Sequence, residues 1–334
     1  MNNQLTVNPS IEVEEYASYI EIDEQGIVSS SSAFIGANTI EVNLQEIQRQ
    51  HIIPVFSKDN EPLISHGDFI QTTYDVINHC FKGEDILSPS IRVSHPIKGR
   101  TPEARYKPAN QLEDHERTIY YERAMFVFEI PSIQRTIDGQ TLSLTIGGVK
   151  CYGDDKLNNK KGSAEHFKIF IGFSVKVCSN LCVWSDGAQV KLMVKSQGEL
   201  MDAIMNMISI YNPESHLRAM QRFTEHNLTE AQFAQVLGRA RLYNYLPNEV
   251  KKQIPPLLFT DTQLGSVAKD YFQDQSFCRN DAGDINLWRM YNLFTGANKS
   301  SYVDSFLERS VNAFDFTHQL QSGLAGGSTN WYLN

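Results

Sequence analysis

Short hydrophobic runs with high β propensity occupy the middle third of the chain. Segments 118–130 (TIYYERAMFVFEI) and 141–152 (TLSLTIGGVKCY) are rich in β-branched and aromatic residues, which predicts two strands. Asp138-Gly139 stands between them and is a strong signal for a β-hairpin turn. The apolar runs 166–178 and 188–195 predict further strands. We therefore expect an antiparallel sheet in this part of the chain.

The hydrophobic period changes to that of an α-helix after Ser196. From Leu200 to Tyr211, apolar residues recur at i, i+4, i+7, i+8 and i+11, which forms one stripe of an amphipathic helix. Ser196 and Glu199 have the spacing of a capping box. Further helices are predicted around 261–272, 285–295 and 301–320. The pattern predicts an α+β fold, with an antiparallel, β-rich central part followed by a segregated helical C-terminal half.

The same pattern divides the chain into four regions. A helix from Ser65 to Lys82 has a capping residue at its start and Gly83 after its end. Residues 84–116 hold four prolines and are predicted to be irregular. The first region is an acidic flexible N-terminal arm (1–40), and the second is a β-rich part (41–195) with a basic loop at 91–109. A helical part packed on the sheet (196–320) and a flexible tail (321–334) follow.

Composition describes an ordinary globular protein with one unusual end. At 334 residues and 41% hydrophobic residues, the chain is long enough to bury a large core. Its net charge of −9 comes almost entirely from residues 1–48, which hold eight acidic residues and no Lys or Arg. A nearly neutral remainder can still present a basic groove. The acidic arm has two interpretations, a solvated segment or a cover for a basic surface on its own or another subunit.

The start of the chain and its thiols indicate the compartment. The opening residues Met1-Asn2-Asn3-Gln4 do not resemble a secretory signal, and no apolar run reaches the roughly 18 residues of a membrane helix. The five cysteines are odd in number and scattered, as reduced intracellular thiols are. We expect a cytoplasmic protein with no membrane partner.

Cys178 and Cys182 lie four residues apart within 173–187 and raise the question of a metal or redox site. A structural zinc site usually needs two such pairs, and no second Cys or His pair lies nearby in the sequence. On a strand, residues i and i+4 share a face, so two small packed thiols are expected. We predict no metal and no cofactor here, but a strand with a bulge near Ser179-Asn180 and a turn at Asp186-Gly187.

The segment 91–109 (IRVSHPIKGRTPEARYKPA) is the most promising binding surface, with a local charge of +4. It interleaves five basic side chains with two rings: Arg92, Lys98, Arg100, Arg105 and Lys107, with His95 and Tyr106. Prolines hold such a loop extended, and this combination suits contacts with phosphates and an unstacked base. The alternative is a rigid loop whose basic residues pair with nearby acids such as Glu113, Asp114 and Glu116.

A second candidate lies between two predicted helices at 296–301. Residues 296–300 (GANKS) resemble the end of a phosphate-binding loop, but the glycine pattern of Walker A is missing. A break between helices fits better, with Ser300 or Ser301 capping the second helix, whose first amides would face an anion. An ordinary helix cap is the alternative. Lys299 and Ser300 therefore join the predicted nucleic-acid-binding residues.

No residues of the chain predict a reaction. The sequence contains no G-x-S-x-G, no H-E-x-x-H and no Gly-rich dinucleotide fingerprint after a strand. The nine histidines are spread without metal-ligand spacing. An active site assembled from distant residues leaves no such trace, so an enzyme with a dispersed site stays an alternative, and no catalytic residue is predicted.

Several longer phrases resemble a known family. They are IRVSHPIKGRTPEA, YYERAMFVFEIPSI, LTIGGVK, EHFKIFIGF followed by VCSNLCVWSDG, LTEAQFAQVLGRARLYNYLP and INLWRMYNLFTGANKSSYVDSF. They are similar to a bacterial family catalogued as domain of unknown function 3871, over roughly residues 50–318. The chain is more distantly similar to the phage/plasmid-like protein family, at segments 178–181 and 291–295. The association of these families with phages, plasmids and integrating elements implies a role around element DNA or host defence.

The favoured function is therefore binding without catalysis. We expect a mobile-element-associated protein that binds single-stranded or irregular DNA through 91–109, helped by Lys299. A protein-interaction or host-defence-modulating module with an acidic arm is the alternative, acting on a protein partner or as a homo-oligomer. The third alternative is the enzyme with a dispersed site.

Overall fold

In the computed structural model, an antiparallel sheet forms the centre of the protein and most helices follow it along the chain. The structure describes residues 33–50, 63–94, 96–155, 162–184, 189–326 and 329–334. In chain order, the elements are β1 (Thr39–Val42), α1 (Leu44–Gln50), α2 (His66–Cys80), β2 (Ser90–Ser94), β3 (Pro96–Arg100), β4 (Arg117–Tyr121), β5 (Arg123–Ile137), β6 (Gln140–Cys151), β7 (Glu165–Val175), β8 (Asn180–Val183), β9 (Gln189–Val194), α3 (Gln197–Ile210), α4 (Pro213–Phe223), β10 (Asn227–Leu228), α5 (Glu230–Tyr245), α6 (Asn248–Lys251), α7 (Asp261–Gln273), β11 (Ile285–Asn286), α8 (Leu287–Asn298) and α9 (Val303–Leu324). The predicted α+β class, with a β-rich centre and a segregated helical C-terminal half, is confirmed.

Seven of the described strands form the main sheet. Its order is β1-β2-β5-β6-β7, and both β8 and β9 pair with β7. β9 pairs with Glu165–Phe170 and β8 with Gly172–Val175, each antiparallel to β7. β8 and β9 therefore run in the same direction and together form one interrupted edge of the sheet. The predicted turn at Asp186-Gly187 lies outside the described residues.

The hairpin between β5 and β6 forms where the sequence predicts it. Asp138 and Gly139 both have positive φ angles, 48° and 74°. Two such residues form the type I′ turn, whose twist matches that of the paired strands. The register shifts between Ile130 and Gln134, beside Pro131, which has no N–H for the ladder.

The segment with the two cysteines is a hairpin, so the prediction that both lie on one strand is wrong. β7 ends at Val175, residues 176–179 form a turn where the sequence predicts a bulge, and β8 begins at Asn180. Cys178 lies in the turn and is half-buried, whereas Cys182 lies in β8 and is fully buried. Burial raises the pKa of both thiols, which disfavours the reactive thiolate. Among the described residues, no group of three or more His, Cys, Asp or Glu side chains is placed to hold a metal ion.

Helix α2 docks on the sheet through an aromatic ring and a glycine. It begins with the predicted cap, because the Ser65 side chain and the Asp68 carboxylate form a reciprocal capping box. One turn in, the ring of Phe69 lies over Gly148 of β6, where a Cβ would stand 2.3 Å from its Cζ. The ring also meets Phe126 edge-on, with 4.9 Å between centroids. Gly148 therefore provides the room that lets α2 approach the sheet.

The described residues at both ends of the chain are packed into the body. Phe34 and Ile35 are buried just before β1, while residues 1–32 of the predicted acidic arm lie outside the described residues. At the other end, predicted to be a flexible tail, α9 continues to Leu324. Tyr332 is fully buried, and its hydroxyl donates to the Pro255 carbonyl at 2.7 Å.

The helical half packs on the sheet through several elements. α8 and α9 contact β8, α9 also contacts β5 and β6, and α3 contacts both α2 and β9. The predicted apolar stripe of α3 is buried: Leu200, Ile204, Met207, Ile208 and Tyr211. No helix within the described ranges is both long and apolar enough to cross a membrane.

A buried ion cluster links α2 to the strands. The side chain of Lys150 has no exposed area, and its Nζ lies 2.8 Å from Glu165 Oε2 and 3.2 Å from Asp155 Oδ2. Glu165 also accepts from the backbone N–H of Ile64 at 3.1 Å, just before α2. The ammonium lies 3.9 Å from the centroid of the Phe167 ring. Because an unpaired charge in this environment loses several kcal/mol of hydration, the cluster is stable only when complete.

His216 is the second buried titratable group of note. Its Nδ1 is 2.8 Å from the Tyr211 hydroxyl, and aromatic rings surround it. Those of Phe173, Trp184 and Phe314 have centroids 5.5–5.6 Å from the imidazole. Burial lowers the pKa of His216 from 6.5 to about 3, because the aromatic surroundings do not solvate the imidazolium.

Removal of the Lys150 ammonium alone should destabilise the fold strongly. Lys150→Met leaves the carboxylates of Glu165 and Asp155 buried without their cation, so we expect the free energy of unfolding to fall by about 3–5 kcal/mol. Lys150→Met combined with Glu165→Gln removes one of those charges and should recover part of the loss. Urea unfolding followed by circular dichroism measures both. A double variant less stable than Lys150→Met would contradict this account.

His216 should make the protein less stable in mild acid. Between pH 6.5 and about 3 the unfolded chain binds a proton at this residue that the folded protein does not. The free energy of unfolding should therefore fall as the pH falls, with His216 contributing up to about 1.4 kcal/mol per pH unit. His216→Asn keeps a partner for Tyr211 but does not titrate, so the stability difference between wild type and variant should shrink over this range. An unchanged difference between pH 6.5 and 4.5 would contradict the assignment.

Candidate nucleic-acid interface

A two-stranded ribbon carries most of the predicted binding segment. β2 leads into β3 and β4 leads into β5, so the pair β2–β5 of the main sheet continues outward as the pair β3–β4. The prediction that 84–116 is irregular is wrong at β2 and β3. Proline usually indicates irregular structure, but Pro96 is the first residue of β3, a position that tolerates proline. His95, between the two strands, lies outside the described residues.

One face of the ribbon is basic. The register places Lys98 opposite Ile119 and Arg100 opposite Arg117. Since side chains two residues apart share a face, Lys98, Arg100 and Arg117 lie together on it. Lys98 and Arg117 are exposed and Arg100 is half-buried. Arg117 lies outside the segment that the sequence singles out, and the antiparallel register of β3 with β4 is the signal that would have found it.

The connection at the far end of the ribbon exposes an aromatic ring. Tyr106 is 83% exposed. The guanidinium carbon of Arg105 lies 4.5 Å from the centroid of that ring, and Arg105 also donates to the Tyr106 hydroxyl. A ring held out in solvent beside a guanidinium is the kind of platform on which unpaired bases stack.

Lys107 holds this connection together. Its ammonium donates to the Glu116 carboxylate and lies 4.0 Å from Glu113, while its carbonyl accepts from Arg100. The hydrogen bond with Glu116 raises the pKa of Lys107, and the same bond lowers the pKa of Glu116. For Lys107, the structure therefore shows the alternative in which a basic residue of the segment pairs with a nearby acid.

Arg92 is engaged by the first strand. β1 pairs with β2 and places Glu41 opposite Arg92. The guanidinium donates to the Thr39 side chain at 3.1 Å and to its carbonyl at 3.0 Å, and lies 3.6 Å from Glu41. Only 14% of the Arg92 side chain is exposed, so it supports the edge of the sheet.

Lys299 is engaged by the body of the protein. Its ammonium donates to the carbonyl of Cys178, and burial lowers the pKa of Lys299. Its own carbonyl accepts from the backbone N–H of Gly36 at 2.8 Å. The residues from Gly36 to Thr39 thus contact both Lys299 and Arg92.

The prediction that Ser300 or Ser301 caps the last helix is wrong. The N-cap of α9 is Tyr302, and it makes no side-chain capping bond. The hydroxyl of Ser300 turns back to the Ala297 carbonyl at 2.7 Å, and that of Ser301 to Asn298 at 2.6 Å. Both hydroxyls therefore bind residues of the last turn of α8 and do not cap α9.

Charge alone does not dominate the ribbon. Residues 96–121 hold five basic residues (Lys98, Arg100, Arg105, Lys107 and Arg117) against four acidic ones (Glu103, Glu113, Asp114 and Glu116), a net charge of +1. Any affinity for a polyanion must therefore come from the arrangement of the basic face and from the exposed ring.

A comparison with known protein families gives the family of the chain. Residues 16–333 match the family described as "Domain of unknown function, B. Theta Gene description (DUF3871)", and the chain belongs to that family. No match was found among curated proteins or among solved structures.

Proposed function

We propose that the protein binds single-stranded or irregular nucleic acid through the β3–β4 ribbon. The observation that supports this most is the exposed Tyr106 ring with Arg105 beside it. Soluble proteins gain nothing in stability by holding a large ring in water, whereas a flat exposed ring provides area for stacking. Every nucleic-acid base has such a face, so this mode of binding tolerates sequence variation.

The basic face supplies the contacts to the strand backbone. Lys98 and Arg100 stand about 7 Å apart along β3, since a strand rises about 3.4 Å per residue. With Arg117 across the ladder, they form a short row that can neutralise neighbouring phosphates. The bonds of Lys107 to Glu116 and Arg100 tie the connection that carries Tyr106 to the basic face.

The small net charge favours unpaired over paired strands. A duplex is bound chiefly through many phosphate contacts, and the ribbon offers few. In a duplex the bases are already stacked on each other, so Tyr106 would gain a partner only where bases are unpaired. The mobile-element setting and the cytoplasmic location, both predicted from the sequence, are part of this proposal.

Loss of the exposed ring should weaken binding. Stacking contributes about 1–3 kcal/mol per base, so Tyr106→Ala should lower the affinity for a labelled oligothymidylate roughly 5- to 150-fold. Tyr245→Ala is the matched control, because Tyr245 is 77% exposed and belongs to α5, not to the ribbon. Fluorescence anisotropy at about 50 mM salt measures both. If wild type fails to bind, or if both variants lose affinity equally, the proposal is wrong.

The basic face should set the salt dependence. Each phosphate contact contributes about 0.7 to the slope of log affinity against log salt for single strands, so Lys98→Ala and Arg117→Ala should each reduce the slope by about that amount. Lys82→Ala, which removes an exposed lysine after α2, should leave the slope unchanged. Slopes that do not differ between the ribbon variants and this control would place the phosphate contacts elsewhere.

A further inference from the structure

A pocket of about 390 Å³ lies where the sheet meets the start of α9. Its charged and polar lining comes from three sources: the turn after β6, strands β7 and β9, and helix α9. These residues are Asp154, His166, Lys168, Lys191 and Glu308. They share no member with the basic face or the exposed ring of the ribbon. A pocket of this volume accommodates a small organic molecule.

Two ammonium groups stand side by side in this pocket. Lys168 of β7 and Lys191 of β9 are direct cross-strand partners, and like charges in that position repel each other. The carboxylate of Glu308 relieves the repulsion, with Oε1 2.9 Å from Lys191 and 3.9 Å from Lys168. The hydrogen bond from Lys191 is the main cause that lowers the pKa of Glu308, and the charges of both lysines lower it further. The position between the two lysines is therefore a binding position for an anionic oxygen.

An external anion can replace the Glu308 carboxylate at this position. The Glu308 side chain is 43% exposed and that of Lys191 is 67% exposed, so their ion pair is weak in water. Lys168 is better fixed, because its ammonium also donates to the Asp304 carbonyl at 3.0 Å. A free anion that places one oxygen on each ammonium group can displace Glu308 and keep both lysines paired.

An oriented imidazole stands on the same strand. His166 precedes Lys168 by two residues on β7, so their Cα atoms lie about 7 Å apart along one face. Its Nδ1 donates to Asp155 Oδ1 at 3.1 Å, and its backbone N–H donates to the same oxygen at 2.6 Å. Asp155 is in turn held by the fully buried Lys150. In the neutral imidazole, Nε2 is then a hydrogen-bond acceptor on the side of the ring away from Asp155.

We propose that this pocket binds a small phosphate monoester. Its anionic oxygens would replace the Glu308 carboxylate between Lys168 and Lys191, and the hydroxyl of its singly protonated form would donate to His166 Nε2. A phosphate monoester, whose second pKa is about 6, can carry this proton near neutral pH, whereas a carboxylate and a sulfate cannot. The remaining volume of the pocket takes the esterified group.

Calorimetric titration with ribose 5-phosphate, inorganic phosphate and ribose tests the class of ligand. We expect ribose 5-phosphate to bind more tightly than inorganic phosphate, and ribose not to bind. Equal affinity for the ester and inorganic phosphate would overturn the assignment of an ester. Absence of binding by the ester to both the wild type and Glu308→Gln would overturn the site.

Two variants with opposite expected effects on ligand affinity test the geometry of the pocket. Glu308→Gln removes the internal competitor and should raise the affinity by up to about fivefold, the strength of an exposed ion pair. Lys191→Ala should lower it roughly 10- to 150-fold, as expected for loss of a hydrogen bond from a charged group. Lys195→Ala, an exposed lysine just after β9, is the matched control and should change nothing. Unchanged affinity in Lys191→Ala, or weaker binding in Glu308→Gln, would overturn the proposal.

His166→Asn tests the role of the imidazole. Asparagine can keep the bond to Asp155 in place of Nδ1 but has no equivalent of Nε2. We expect the wild type to prefer phosphate over sulfate and this variant to bind the two equally. A preference that survives in His166→Asn would show that Nε2 does not contact the ligand, and the proposed binding mode would fall.

Discussion

A buried ammonium must have its charge neutralised, and this requirement at Lys150 organises the part of the molecule from which both proposed sites extend. Its partners Glu165 and Asp155 come from either side of one connection between adjacent strands, so the ion cluster closes that connection. Glu165 also binds the backbone just before α2. The first residue of that helix, His66, donates to the carbonyl of Tyr121 at the root of the ribbon. The buried charge therefore connects the sheet, α2 and the ribbon.

This arrangement explains how two sites of different character occupy one fold. The ribbon projects from the sheet because β3 and β4 extend the paired strands β2 and β5. His66 binds the carbonyl of Tyr121 at the base of the ribbon, and Lys107 binds Glu116 near its far end. The pocket is oriented through Asp155, which the same ammonium positions. Rigid support of this kind matters because a ring or an imidazole that moves freely loses much of its binding free energy in becoming ordered.

The sequence predicted most elements correctly because their signals are local. The Ser65 cap and the Asp138-Gly139 turn each depend on residues within four positions of one another. The sequence does not reveal that Arg92 and Lys299, two of the predicted binding residues, bind groups far away along the chain. The thiol Cys178 was misplaced for a related reason: an apolar run does not reveal where a strand ends and a turn begins.

The sequence by itself determined the α+β class, the caps of α2 and α3, the hairpin turn and the candidate basic segment. These follow from backbone preferences and from side-chain periodicity, which act over a few residues. Only the tertiary structure decided which basic groups remain exposed, that Arg117 joins Lys98 on one face, and that Glu308 meets Lys191. These two placements bring together residues that are 19 and 117 positions apart, and they depend on tertiary packing and strand register, which no short stretch of sequence encodes.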